Sequence, residues 1–104
     1  MFDNSLEREE RIQPGDVVRH FKYETLSEED KKANKYLYKV IGFAKHTETL
    51  EPLVIYQAMY RDNEKGIEIG DMFARPYVMF MSEVDKVKYP DIKQRYRFET
   101  IHRY

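Results

Sequence analysis

The chain has 104 residues, room for one domain core and no second. Hydrophobic residues make up 41% and charged residues 36%, a globular rather than a disordered balance. The absence of cysteine excludes disulfides, thiolate metal sites and a cysteine nucleophile. A formal net charge of −1 argues against nonspecific nucleic-acid binding and against strong duplex binding, which needs many phosphate contacts.

The charge is uneven along the chain: net −3 over residues 1–34, −1 over 35–84 and +3 over 85–104. Screening makes so modest an excess weak unless the basic groups converge in a pocket. The aromatic residues are lopsided too, with nine Tyr, six Phe and no Trp.

In chain order, Phe2–Ile12 reads as a short, frayed helix with few apolar anchors. It lacks the basic start and apolar run of a signal peptide, and no run approaches the length of a membrane span. A soluble cytoplasmic protein with no membrane contact is therefore expected. Pro14-Gly15 punctuates the chain where the domain proper should begin. Asp16–Lys22 alternates with period two and reads as a strand. Glu24–Asn34 is a long polar connection, in which Ser27 can cap one helical turn.

Lys35–Lys45 is the clearest strand, and Gly42 within it predicts a bulge or bend. Across the polar His46–Glu51 link, Pro52–Tyr60 alternates again, a hairpin signal. Arg61–Asp71 carries Asp62-Asn63, Gly66 and Gly70 and reads as a loop or second hairpin tip. Met72–Arg75 is a short strand stopped by Pro76, and Tyr77–Val84 is a helical turn. Arg95–Thr100 is the last strand. The expected fold is mainly β: a small SH3-like barrel of about five short strands, with a short helical turn before the last. Residues 1–13 form an N-terminal extension to it, 14–100 the barrel domain and 101–104 a tail.

Several blocks in this order resemble one family. They are Pro14-Gly15-Asp16-Val17-Val18-Arg19-His20-Phe21-Lys22, Tyr36-Leu37-Tyr38-Lys39-Val40 and Ala44-Lys45-His46-Thr47-Glu48-Thr49. Val54-Ile55-Tyr56-Gln57-Ala58, Arg75-Pro76 with Met79-Phe80, and Tyr89-Pro90 with Gln94 and Tyr96-Arg97-Phe98 follow. Together they are similar to the mainly bacterial family catalogued as domain of unknown function 1653. The resemblance spans about residues 13–99 and implies an SH3-like β-barrel with no established activity. Leu50 stands where the family's hairpin often carries Gly, so a positive φ there would set this turn apart.

Candidate chemistry is sparse. His46-Thr47-Glu48-Thr49 groups an imidazole, two hydroxyls and a carboxylate at a strand junction. They can serve acid–base work, or equally satisfy turn backbone groups. His20 can approach His46 if their strands are neighbours. No ligand-pair motif such as H-E-x-x-H occurs, no serine sits in a G-x-S-x-G elbow, and no phosphate-cradling glycine loop is present. No metal, cofactor or catalytic residue is therefore assigned.

A binding surface is easier to build. His20, Lys22, Tyr38, His46, Glu48, Tyr56, Gln57, Arg75 and Arg97 lie on or beside predicted strands. Tyr offers a flat ring and a hydroxyl, Arg a fork for phosphate or carboxylate, and Arg75 is held extended by Pro76. Tyr36 and Phe43 are assigned to the core; Tyr38, Tyr56 and Tyr60 to an amphipathic surface; Met59, Met72, Met79 and Met81 to barrel filling. The expected function is a noncatalytic module for a small anionic or aromatic ligand, a nucleotide or a peptide. The alternatives are an assembly protein, for instance a homodimer, that uses its aromatic face as an interface, and a small enzyme using His46 and Glu48.

Overall fold

A computed structural model of the chain describes residues 11–104. The helix expected over Phe2–Ile12 falls outside them except for its last two residues, of which Ile12 is fully buried in the core. Five strands follow: β1 (Val17–His20), β2 (Leu37–Lys45), β3 (Pro52–Ala58), β4 (Met72–Pro76) and β5 (Phe98–His102). A 3₁₀ turn, Phe21–Thr25, continues directly from β1. Two short helices, α1 (Glu28–Lys32) and α2 (Tyr77–Phe80), complete the elements. Ser27 caps α1 by accepting from the Asp30 N–H at 3.2 Å, as its position predicted.

The strands form one antiparallel sheet in the order β4-β3-β2-β1-β5. Strand number and the helical turn before the last strand match expectation. The ladder does not close: β4 and β5 are its two edges, and no hydrogen-bonded pairing joins them.

Gly42 marks a bulge. Val40 pairs with Tyr56, and the next partners are Gly42 and Ile55, so Ile41 is squeezed out of the ladder. The extra residue switches the faces of the strand beyond it. Phe43 now lies opposite the fully buried Val54, yet it sits at the end of the sheet, 39% exposed, against the Tyr77 ring. Its assignment to the core is corrected to a position on the rim.

The larger correction concerns tyrosine. Tyr38, Tyr56 and Tyr60, expected at the surface, are 8%, 5% and 2% exposed. The Tyr38 ring stands edge-on to Tyr56, Tyr60 and Phe98, and Phe80 stacks flat on Phe98 at 4.0 Å. Burial of so many phenols is tolerated because their hydroxyls find partners. Tyr38 and Tyr60 share a hydrogen bond of 2.7 Å, and Tyr56 accepts one from Arg75. Burial holds the Tyr38 and Tyr60 phenols above their ordinary pKa. Met72 and Met79 are exposed rather than filling; Met72 opens an edge strand and Met79 lies on a single helical turn with little to pack against. Met81 is buried as expected.

A second small cluster, Phe21, Val84 and Ile92 with Tyr89 against it, lies beneath the connection from α2 to β5. Side chains pin this connection by its backbone. Glu24 accepts from the N–H groups of Lys93 (2.8 Å) and Gln94 (2.7 Å), while Lys86 donates to the carbonyls of Ile92 and Gln94. Gln94 donates in turn to the carbonyls of Arg19 and Tyr96, which ties the connection to β1.

The two ends of the domain are joined by charge. Asp16 is fully buried and accepts from Arg103 Nε (2.9 Å) and Nη2 (2.8 Å), Thr100 Oγ1 (3.0 Å) and the Gln13 N–H (2.9 Å). Burial alone would raise its carboxyl pKa. The hydrogen bonds from Arg103, Gln13 and Thr100 outweigh burial and hold it below the ordinary 3.8. The stabilisation is therefore present above pH 3.8 and is lost as pH falls through the lower native value. Arg103→Ala should cost about 2 kcal/mol at pH 7, the scale of a hydrogen-bonded charge on a buried partner. Denaturant titrations of both proteins should show that gap closing below pH 3.8.

Leu50 has φ 63°, so the hairpin position at which the sequence departs from Gly does adopt a left-handed backbone. Its side chain is 65% exposed and contributes little burial in return. Relief of the left-handed strain exceeds the chain entropy that Gly adds to the unfolded state. Leu50→Gly should raise stability by about 0.5–1 kcal/mol, a few degrees in Tm for a domain of this size. An unchanged or lower Tm in a thermal melt would contradict this.

Candidate functional site

The chain leaves β1 at His20, and the sharp entry into the 3₁₀ turn is made by that side chain. His20 Nδ1 accepts the Lys22 N–H at 3.1 Å. This acceptor role leaves the hydrogen of the neutral ring on Nε2. The ring is 8% exposed, stacks on Phe21 at 4.5 Å, and meets Phe98 edge-on and Tyr36 at a tilt. Tyr36 is held there with φ 69°, an uncommon conformation for a bulky residue, and its carbonyl accepts the His20 N–H.

Burial, followed by the positive charges of Arg75, Arg97, Lys22 and Lys65, lowers the His20 pKa from 6.5 to about 3. The imidazole is thus a neutral hydrogen-bond donor through the whole physiological range.

Arg75, on edge strand β4, donates from Nε to the Tyr56 hydroxyl at 3.1 Å and lies 5.5 Å from the centroid of Phe98. Arg97, one residue before β5, donates from Nε to the Met79 carbonyl (3.1 Å) and Ser82 Oγ (3.2 Å). Each guanidinium is oriented through Nε, and its terminal nitrogens make no hydrogen bond to the described residues. Burial and the charge of Arg75 lower the pKa of Arg97. Among the described residues no carboxylate lies within ion-pair distance of Arg75, Arg97, Lys22 or Lys88.

These groups surround a cavity of about 390 Å³, lined by His20, Phe21, Lys22, Arg75, Val84, Asp85, Lys88, Tyr89 and Arg97. Asp85 is its one carboxylate, and Asp85 Oδ1 already accepts from the N–H groups of Val87 and Lys88. The cavity is therefore a donor-rich, net cationic recess with an aromatic wall. A wider depression of about 640 Å³ lies among Arg19, Tyr23, Glu24, Lys31, Asp91, Lys93 and Gln94. There cations and carboxylates are mixed, the Glu24 carboxylate serves the backbone, and Arg19 covers the Tyr23 ring.

Of the nine candidate residues, His20, Lys22, Arg75 and Arg97 meet at this cavity, and Tyr56 stands behind it, steering Arg75. Tyr38 is in the core. Gln57 lies on β3 and donates to the Gly70 carbonyl. His46 and Glu48 belong to the β2–β3 hairpin, where His46 Nδ1 accepts the N–H groups of Glu48 (3.1 Å) and Thr49 (3.4 Å). His46 and Thr49 bond the turn backbone with their side chains, and neither His46 nor Glu48 lines the cavity. The described residues contain no cluster of three or more His, Asp or Glu side chains able to hold a metal ion. They also contain no helix long and apolar enough to cross a membrane. Sequence reasoning missed Lys88 and Tyr89, whose signal was the local basic excess just before Pro90.

The lowered His20 pKa has a thermodynamic signature. The unfolded chain takes up a proton near pH 6.5 and the native state only near 3, so stability falls as pH drops through that window. The slope is on the order of 1.4 kcal/mol per pH unit for one such group. His20→Gln should flatten the acid limb of a stability profile between pH 6 and 4. In the unsubstituted protein, the His20 ring resonances in an NMR titration should stay constant from pH 8 to 5.

Searches of curated proteins and of solved structures each return no significant match. A family model does match, described as "Protein of unknown function (DUF1653)", over residues 16–100, which takes in all five strands up to the middle of β5 and every residue of the cavity. The chain belongs to that DUF1653 family.

Proposed function

We propose that this domain is a noncatalytic binding module that holds a small anionic ligand in the cavity bordered by β1, β4 and the connection into β5. The carrying observation is the pair Arg75 and Arg97. Each is fixed through Nε, each is within electrostatic reach of the other, and no carboxylate among the described residues neutralises either. Like charges brought together in a partly desolvated recess weaken the fold unless a counter-charge is bound.

The same proposal reads the domain as an SH3-like barrel whose ladder stops short of closure. In support, β1 lies between β2 and β5, and the helical turn α2 follows β4 directly and precedes the connection into β5. Phe98 of β5 also packs on Phe80 and beneath Arg75 of β4, across the gap between the two edges.

A thermal-shift series with inorganic phosphate, pyrophosphate and adenosine monophosphate tests the reading. A ligand at a hundred times its Kd should add about 2.7 kcal/mol of apparent stability. Arg75→Ala and Arg97→Ala should each weaken binding about tenfold or more, the scale of a lost charge-assisted bond. Tyr56→Phe, which frees Arg75, should weaken it a few-fold, and Glu48→Ala should leave it unchanged. No stabilisation by any anion, or arginine variants that both bind as tightly as the unsubstituted protein, would remove the proposal.

A further inference from the structure

We propose that the cavity selects a small phosphate monoester in its dianionic form over carboxylates, with the carrier group lying against Tyr89 and Val84. This rests on the anion-binding reading above and narrows it. Four cations, Lys22, Arg75, Lys88 and Arg97, face one carboxylate, Asp85, which already serves the backbone. A monoanion would leave most of that charge unmatched, whereas a dianion meets it more closely.

The donor pattern points the same way. Each arginine retains its terminal nitrogens beyond the Nε bond, a fork suited to two oxygens of one group. His20 has spent Nδ1 on the Lys22 N–H, and its Nε2–H, with no partner among the described residues, is a further donor where the ring borders the cavity. Lys22 and Lys88 add ammonium groups at the rim. Two forks and a third donor suit the three terminal oxygens of a phosphoryl group. A carboxylate has two oxygens and cannot engage all of them.

Acceptors are scarce: among the lining side chains His20 Nδ1 and Asp85 Oδ1 already accept backbone N–H groups, which leaves the second Asp85 oxygen and the Tyr89 hydroxyl. A singly protonated phosphate, which must donate, is therefore poorly served. The volume, about 390 Å³, falls in the range of small-molecule pockets and leaves room beyond the phosphoryl group. The half-buried Tyr89 ring and buried Val84 are the apolar surfaces beside it.

The pH dependence follows. Besides the arginines, the titratable groups facing the cavity are His20, Lys22, Asp85, Lys88 and Tyr89. Only imidazole has an ordinary pKa between 5 and 7, and His20 is pushed out of that window to about 3. A phosphate monoester has its second pKa near 6. Affinity for it should therefore rise about tenfold from pH 5 to pH 7 through the ligand alone. Affinity for sulfate, dianionic throughout, should stay level.

The experiment is calorimetric titration of the full chain at pH 5 and pH 7 with methyl phosphate, sulfate, malonate, glucose 6-phosphate, adenosine monophosphate and a phosphoserine peptide. Methyl phosphate is expected to bind at least tenfold more tightly than malonate at pH 7 and to show the pH rise that sulfate lacks. Glucose 6-phosphate or adenosine monophosphate should bind more tightly than methyl phosphate and lose that gain in Tyr89→Ala. Lys22→Ala removes an exposed side chain without touching the core, and should weaken methyl phosphate a few-fold with an unchanged melting curve. Malonate matching methyl phosphate, or a level pH profile for methyl phosphate, would overturn the phosphate selection while leaving the anion site standing. A phosphopeptide binding more tightly than every small monoester would overturn the small-molecule carrier. Binding by none of these anions would overturn the module itself.

Discussion

The ring of Phe98 is the contact on which both the core and the cavity depend. It is the first residue of β5 and pairs with His20 across the β1 ladder. One side stacks on Phe80; around it stand Tyr38, Tyr56 and the edge of His20; Arg75 lies over it. The packing that fills the sheet is thus the same packing that sets the depth and angle of two groups of the site. Loss of this ring would open a void among close-packed aromatics and release His20 and Arg75 together, so stability and the shape of the cavity are not separable here.

The electrostatics divide the molecule into two kinds of place. At Asp16 a buried carboxylate is matched by Arg103 and by neutral donors, and the pairing joins the start of the domain to its end. At Asp62, likewise, a buried carboxylate is met by Lys35 and by backbone N–H groups. The cavity beside His20 is built the other way, with cations gathered around a neutral imidazole and, among the described residues, no carboxylate within ion-pair distance of the arginines. The chain thus satisfies its buried carboxylates at Asp16 and Asp62 and leaves the partly buried Arg75 and Arg97 facing one another here, which is the contrast on which the proposed anion site rests.

Strand content was legible because period-two alternation survives in a thin sheet, and Gly42 announced the bulge one residue from where it occurs. The tyrosines were misread because a phenol is equally at home inside and outside. Only the partners that meet Tyr38 and Tyr60 across 22 positions of sequence decide the matter. Four site residues were picked out by type, His20, Lys22, Arg75 and Arg97, but nothing local said that they converge. His46 and Glu48 draw attention for the same chemical reason but lie apart from the cavity, in a hairpin where the His46 ring accepts two backbone N–H groups. Lys88 and Tyr89 were passed over because they sit in an irregular connection with no period to read.

That connection is secured in an unusual way. Glu24 and Lys86 grip its main chain, through N–H groups of Lys93 and Gln94 and carbonyls of Ile92 and Gln94, while several of the side chains it carries point to water. Its course is thus largely independent of what stands at positions such as Val87, Lys88 and Lys93. Substitution there, including Lys88 at the rim of the recess, can leave the course of the segment intact. A domain of this design can have the outer wall of its recess rewritten by single substitutions while it keeps its scaffold and the pair Arg75 and Arg97.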